Sequence, residues 1–255
     1  MAHWFVTTGR SVFDSSRCWN FVPPEIRAHD GKSDLELLRT EGVADLIPDL
    51  YGERSQRFGN VNNEQEIQAF VNEWFDCSCW HPNRYRALPA ELATLFWLSQ
   101  PVADQQEHTI QEGDTIHLIQ GVGNEAALYL RPMLENCMDH HAVPDGVEPL
   151  PQVGIELMGP FALDPVDQEA FTQGFAEMWQ AITALQDVDQ TQARFVLTGG
   201  YKGVLLGLAL KISGYQGVLT RIYYSHEEAT RTVIRIGYTA GGMVTSNTLP
   251  QWVGM

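Results

Sequence analysis

Positive charge is scarce in this chain of 255 residues: sixteen Lys plus Arg face thirty-two Asp plus Glu, a formal net charge of −16, and the lysines are Lys32, Lys202 and Lys211 alone. Such a field repels long polyanions, whose affinity comes from counterion release at many phosphates, so extended DNA or RNA is excluded as the main partner. The acidic surface itself serves solubility. Cysteine is nearly as sparse. Cys18, Cys77, Cys79 and Cys137 make no disulfide framework in a chain of this size, which predicts a reducing cytoplasm. Cys77-Ser-Cys79-Trp-His81 brings three possible ligands together, but no second pair follows at zinc-like spacing, so neither metal nor cofactor is expected. Long apolar runs are missing too. Val204 to Leu210 is among the longest and is too short to cross a bilayer, and the N-terminus opens on strand-like sequence where a signal peptide needs a basic and then a long apolar region. There is no internal repeat and no low-complexity tract.

The 44% hydrophobic content suits a globular fold with a sizeable core, read as a single α/β domain over residues 1–255. The most informative stretch runs from Ala193 to Gly214. The apolar run Phe195 to Leu197 meets a Thr198-Gly199-Gly200 turn, and an apolar, helix-length segment follows Tyr201, so the turn sits where a strand hands over to a helix. Glycines let backbone N–H groups approach an anion, the helix N-terminus adds partial positive charge, and Lys202 adds a full one. The glycine spacing is neither that of a P-loop nor that of the dinucleotide fingerprint, which argues against an enzyme with a nucleotide cofactor.

Two further units repeat the pattern. His3 to Thr8 reads as a strand broken by Gly9-Arg10-Ser11, and Asp114 to Gln120 reads as a buried strand followed by Gly121-Val122-Gly123-Asn124-Glu125 and a helix from Ala126. Val153 to Leu157 is another strand, and Asp164-Pro165 predicts a capped helix from about Val166 to Leu185. Residues 20–87 read as a helical insertion, with capping-box patterns at Ser33-x-x-Glu36 and at Asn63-x-x-Glu66, the latter opening a helix to about Phe75. After the core, residues 1–215, Val218 to Tyr224 and Thr232 to Tyr238 predict an antiparallel hairpin, with a glycine-rich tail to residue 255. Alternating strands and helices predict a Rossmann-like, mostly parallel sheet with helices on both faces and a site at the strand carboxyl ends, where the glycine loops gather.

Thr198-Gly-Gly-Tyr-Lys202 after a late strand resembles the CRISPR-associated Rossmann-fold (CARF) domain, which binds cyclic oligoadenylates. Gly9 and Ser11 match that family's Gly-x-Ser turn, with Arg10 replacing a small residue and adding a cation. Leu88 to Leu95 resembles its helix before the central strand, with Glu91 at the acidic position, and Gln120-Gly121-Val122-Gly123-Asn124 is a weaker match to its middle loop. The likeness runs from the first strand to the closing hairpin and leaves no room for an effector domain.

The resemblance implies a stand-alone ring nuclease that linearises cyclic oligoadenylate, most often cyclic tetra-adenylate, and switches off type III CRISPR signalling; the alternative is a non-catalytic sensor or sink acting through a partner. It implies Ser11 and Lys202 as catalytic residues and Thr8, Gly9, Arg10, Gln120, Gly121, Gly123, Asn124, Thr198, Gly199, Gly200 and Tyr201 as ligand contacts. A ring of repeated adenylates is matched by a twofold site, hence a homodimer. Attack by the ribose 2′-OH needs no metal and leaves a 2′,3′-cyclic phosphate. No histidine falls inside the three glycine loops. His3 precedes the first strand, His117 sits in a buried strand, His140 and His141 lie in a loop, and His226 falls in the hairpin turn, so structural or surface roles are expected.

Overall fold

The computed structural model describes residues 2–9, 12, 64–75, 77–80, 88–100, 109–122, 126–139, 148–164, 166–185, 193–198, 202–213, 221–225, 233–239 and 242–248. Seven strands form one sheet: β1 (His3–Thr7), β2 (Thr115–Gly121), β3 (Gly154–Phe161), β4 (Ala193–Val196), β5 (Arg221–Ser225), β6 (Val233–Thr239) and β7 (Gly242–Thr248). Their order is β3-β2-β1-β4-β5-β6-β7, and the first five are parallel throughout. This is the strand order of a Rossmann-like α/β fold. The pairs β5/β6 and β6/β7 are antiparallel.

The side-chain alternation of the strands builds two cores. Trp4, Val6, Ile116, Leu118, Val196 and Tyr223 point to one face, where α1 (Glu64–Trp74), α2 (Ala90–Ser99) and α3 (Ala126–Met138) pack on them. Phe5, Ile119, Phe195, Leu197 and Ile222 point to the other, under α4 (Gln168–Ala184) and α5 (Lys202–Ser213). Helices therefore cover both faces, and the inner strands are apolar on both sides, as parallel strands must be when no face meets water. On the α4 side the packing is very close. A Cβ at Gly174 would stand 2.3 Å from the carbonyl oxygen of Ala162, so only glycine lets that helix approach the segment after β3.

Two expectations need correction. The helix expected from Val166 starts two residues later, at Gln168, with Asp167 as its cap: Asp167 Oδ1 accepts from the Ala170 N–H at 3.0 Å, while Asp164 Oδ1 accepts only from Val166 N. Two aspartates three residues apart both make turn bonds, and Asp167 is the one followed by a continuing helical ladder. The segments expected to pair, Val218 to Tyr224 and Thr232 to Tyr238, contain β5 and β6, and β5 also pairs in parallel with β4. The glycine-rich tail contains β7. Ser33, Glu36 and the rest of the insertion up to residue 63 lie outside the described residues; the helix expected after Asn63 is α1.

At the amino end of the sheet a buried carboxylate ties three segments together. Asp114 accepts from Ala2 N (2.6 Å), Trp4 Nε1 (2.9 Å) and Gln111 N (3.1 Å), and Arg194 Nη1 lies 3.8 Å away. The Arg194 guanidinium stacks over the Trp4 ring at 4.7 Å. Asp114→Ala strands those donors and removes the facing carboxylate from a guanidinium that is only 12% exposed. It should destabilise the fold by about 3–5 kcal/mol, the scale of removing one partner of a buried charge pair. Urea titration checks this, and a loss below about 1 kcal/mol would show that the cluster is incidental.

Candidate functional site

The connections from β1 and β4 leave in opposite directions across the sheet, because β2 lies on one side of β1 and β5 lies beyond β4. Ligands of open α/β sheets bind in the crevice at such a switch point, outside the strand carboxyl ends. The register His3↔Ala193 to Val6↔Val196 sets the end of β1 beside the end of β4, so Thr8 and Gly9 stand next to Leu197 and Thr198. Helix α5 begins four residues after Thr198, with Lys202 as its first residue. The positive end of its dipole thus lies at the crevice.

The end of β1 is pinned in three directions. Thr7 Oγ1 donates to Val196 O of β4 (3.3 Å), Thr8 Oγ1 donates to Ile119 O of β2 (2.7 Å), and Gly9 N–H donates to Glu91 Oε1 of α2 (2.7 Å). Glu91 is fully buried. One turn further along α2, Thr94 Oγ1 lies 2.8 Å from Ala90 O and 3.0 Å from Thr198 Oγ1. The same helix therefore reaches both loops. Its own N-cap, Pro89, makes no side-chain cap bond.

Thr8, Gly9 and Thr198 of the expected site are brought together here. Gln120 and Gly121 close β2 at the same end of the sheet, where the β2/β3 register shifts between Ile119 and Gly121. Arg10, Ser11, Gly123, Asn124, Gly199, Gly200 and Tyr201 lie outside the described residues, as does His81 beside Cys77 and Cys79. Among the described residues, no three His, Cys, Asp or Glu side chains converge in a way that could hold a metal ion. Glu91 and Thr94 were missed as site residues. The available signal was one carboxylate in an otherwise apolar helix, with a hydroxyl three residues on along the same face.

A second polar cluster lies on the α4/α5 face, away from the crevice. His3, the first residue of β1 and not a residue before it, places Nδ1 2.9 Å from His117 Nε2, and His117 Nδ1 is 3.3 Å from Glu156 Oε2. The His117 ring stacks between His3 and Phe5. Burial pushes the His117 pKa below its ordinary value; Glu156 opposes this and His3 adds to it. A histidine held neutral by the fold binds protons more readily when unfolded, so its contribution to stability is present above about pH 6.5 and is lost as pH falls below that toward its lower folded pKa. The urea midpoint of wild type minus that of His117→Phe should therefore shrink between pH 7.5 and pH 5. Parallel pH profiles for the two proteins would contradict it.

No known family model and no curated protein matches the chain.

Proposed function

We propose that this protein binds cyclic oligoadenylate, cyclic tetra-adenylate foremost, in the β1/β4 crevice and opens the ring without a metal. The observation that carries the reading is the parallel pairing of β1 with β4, which sets Thr8 and Gly9, just before Ser11 in the sequence, beside Thr198, four residues before Lys202. Ser11 and Lys202 are the two positions that the resemblance to CARF ring nucleases makes catalytic. The fold of such a domain, a Rossmann-like sheet closed by an antiparallel hairpin, is the frame for this site.

The chemistry asks little of the protein. The ribose 2′-oxygen attacks the adjacent phosphorus, the 5′-oxygen leaves with a proton, and a 2′,3′-cyclic phosphate remains. Ser11 holds the sugar so that attacking and leaving oxygens are in line, which is the entropic part of the barrier. Lys202, the N–H groups at residues 198–200 and the α5 N-terminus stabilise charge growing on the phosphate oxygens. Arg10 binds a neighbouring phosphate. Two subunits facing each other across a twofold axis present these groups to opposite phosphates of the ring.

Incubation with cyclic tri-, tetra- and hexa-adenylate in excess EDTA, followed by chromatography, should give linear products with cyclic phosphate ends. Lys202→Ala should lower the rate by about two to three orders of magnitude, the scale of losing one transition-state donor. Activity that vanishes under EDTA and returns with Mn²⁺ would overturn the mechanism. If wild type binds a ring and returns it intact, the protein is a sensor or sink, and Lys202→Ala weakens binding alone.

Light scattering at micromolar concentration should give a homodimer. A monomer in the presence of ligand would sink the shared twofold site.

A further inference from the structure

We infer that α2 is a strut that holds the two loops of the crevice as one unit, with Glu91 and Thr94 as its positioning residues. Its role in cleavage rests on the ring-nuclease reading. Its geometry does not.

Glu91 and Thr94 are three residues apart and so share one face of the helix. Both are fully buried. A carboxylate in that position is costly unless it is bonded, and the Gly9 N–H at 2.7 Å is a charge-assisted partner, about twice as strong as a neutral one. Thr94 reaches the other loop through Thr198 Oγ1 at 3.0 Å. Where the Thr94 hydroxyl donates to Ala90 O, the Thr198 hydroxyl donates to it in turn, and the β4 loop hangs from the first turn of α2. Within the sheet, Thr7 Oγ1 crosses to Val196 O and closes the frame from below.

Two consequences follow for a ligand. The Gly9 amide, a donor that a glycine turn ordinarily offers to phosphate, is already spent on Glu91. That donor therefore serves geometry: the bond fixes the peptide plane between Thr8 and Gly9, two residues before Ser11. Movement of α2 in turn moves both loops together, so nucleophile alignment on the β1 side and charge stabilisation on the β4 side are set by one element.

The test uses the full-length protein in two arms. In unliganded protein, Glu91→Ala should speed Gly9 amide exchange by about tenfold or more and shift the Thr198 resonances, while residues around Asp114 at the far end of the sheet keep theirs. With cyclic tetra-adenylate, the same variant should lower kcat by about tenfold or more with KM within about threefold, because alignment and not uniform binding is lost. Glu91→Gln keeps an oxygen acceptor for Gly9 and should recover most of kcat. Thr94→Val should act like Glu91→Ala, with rescue by Thr94→Ser. A Gln variant as impaired as the Ala variant would overturn the positioning role, since charge and not the bond would then matter. Thr198 resonances indifferent to Glu91→Ala would overturn the strut. Should Glu91→Ala not fold, the Gln variant and the Thr94 pair decide the same questions. A wild type that neither binds nor opens any ring sinks the ring-nuclease reading, and the unliganded arm still decides the strut.

Discussion

The central position of β1 is the constraint on which the rest of the molecule depends. It is paired in parallel with β2 on one side and β4 on the other, so its two neighbours send their following connections away from each other. Its side chains also join the two cores: Trp4 and Val6 enter one, Phe5 the other. Each end carries a different polar anchor. At the amino end Asp114 gathers Ala2, Trp4 and Gln111; at the carboxyl end Thr7, Thr8 and Gly9 bond to β4, β2 and α2 in succession. A strand buried on both faces has no water to satisfy its ends, and those anchors take its place.

The polar anchors divide into a stability set and a site set by position alone. Asp114 and Arg194 sit where parallel sheets have no ligand crevice, and the groups around them come from the amino ends of β1, β2 and β4. The His3–His117–Glu156 chain lies along the sheet surface between these ends. Its geometry lets one proton be shared between the two rings, with His117 Nδ1–H left to donate to Glu156. Burial is what holds His117 toward its neutral form, against the pull of Glu156.

Much of the fold was legible because its signals are local. His3 to Thr7, Thr115 to Gly121 and Ala193 to Val196 are short apolar or β-branched runs followed by glycine turns, and they form β1, β2 and β4. What was misread depends on non-local partners. Gly242 to Thr248, with Thr245, Ser246 and Asn247 in a row, is too polar to signal a strand, yet it pairs along the whole length of β6. The start of α4 required a choice between two aspartates with the same local chemistry. Glu91 was visible as an acid in an apolar helix, but its partner is 82 residues away in sequence, and no spacing rule links it to Gly9. A candidate site made of loop glycines is legible; the buried groups that hold those loops are not.

The two helix N-termini at the crevice differ in a way that bears on how so acidic a chain could hold an anion. Distant surface charge is screened over about 10 Å at ordinary ionic strength, whereas backbone dipoles in an enclosed crevice act at contact range. Helix α2 carries Glu91 in its first turn, which neutralises its positive end and also occupies the Gly9 donor. Helix α5 has no acid in its first turn and begins with Lys202. Of the two helix ends, the positive one is therefore on the β4 side, and in the proposed reading that end faces the phosphate under attack. Under the proposed ring-opening reaction, in-line attack within a ribose phosphate would need two things: one group to be aligned and the other to accumulate charge.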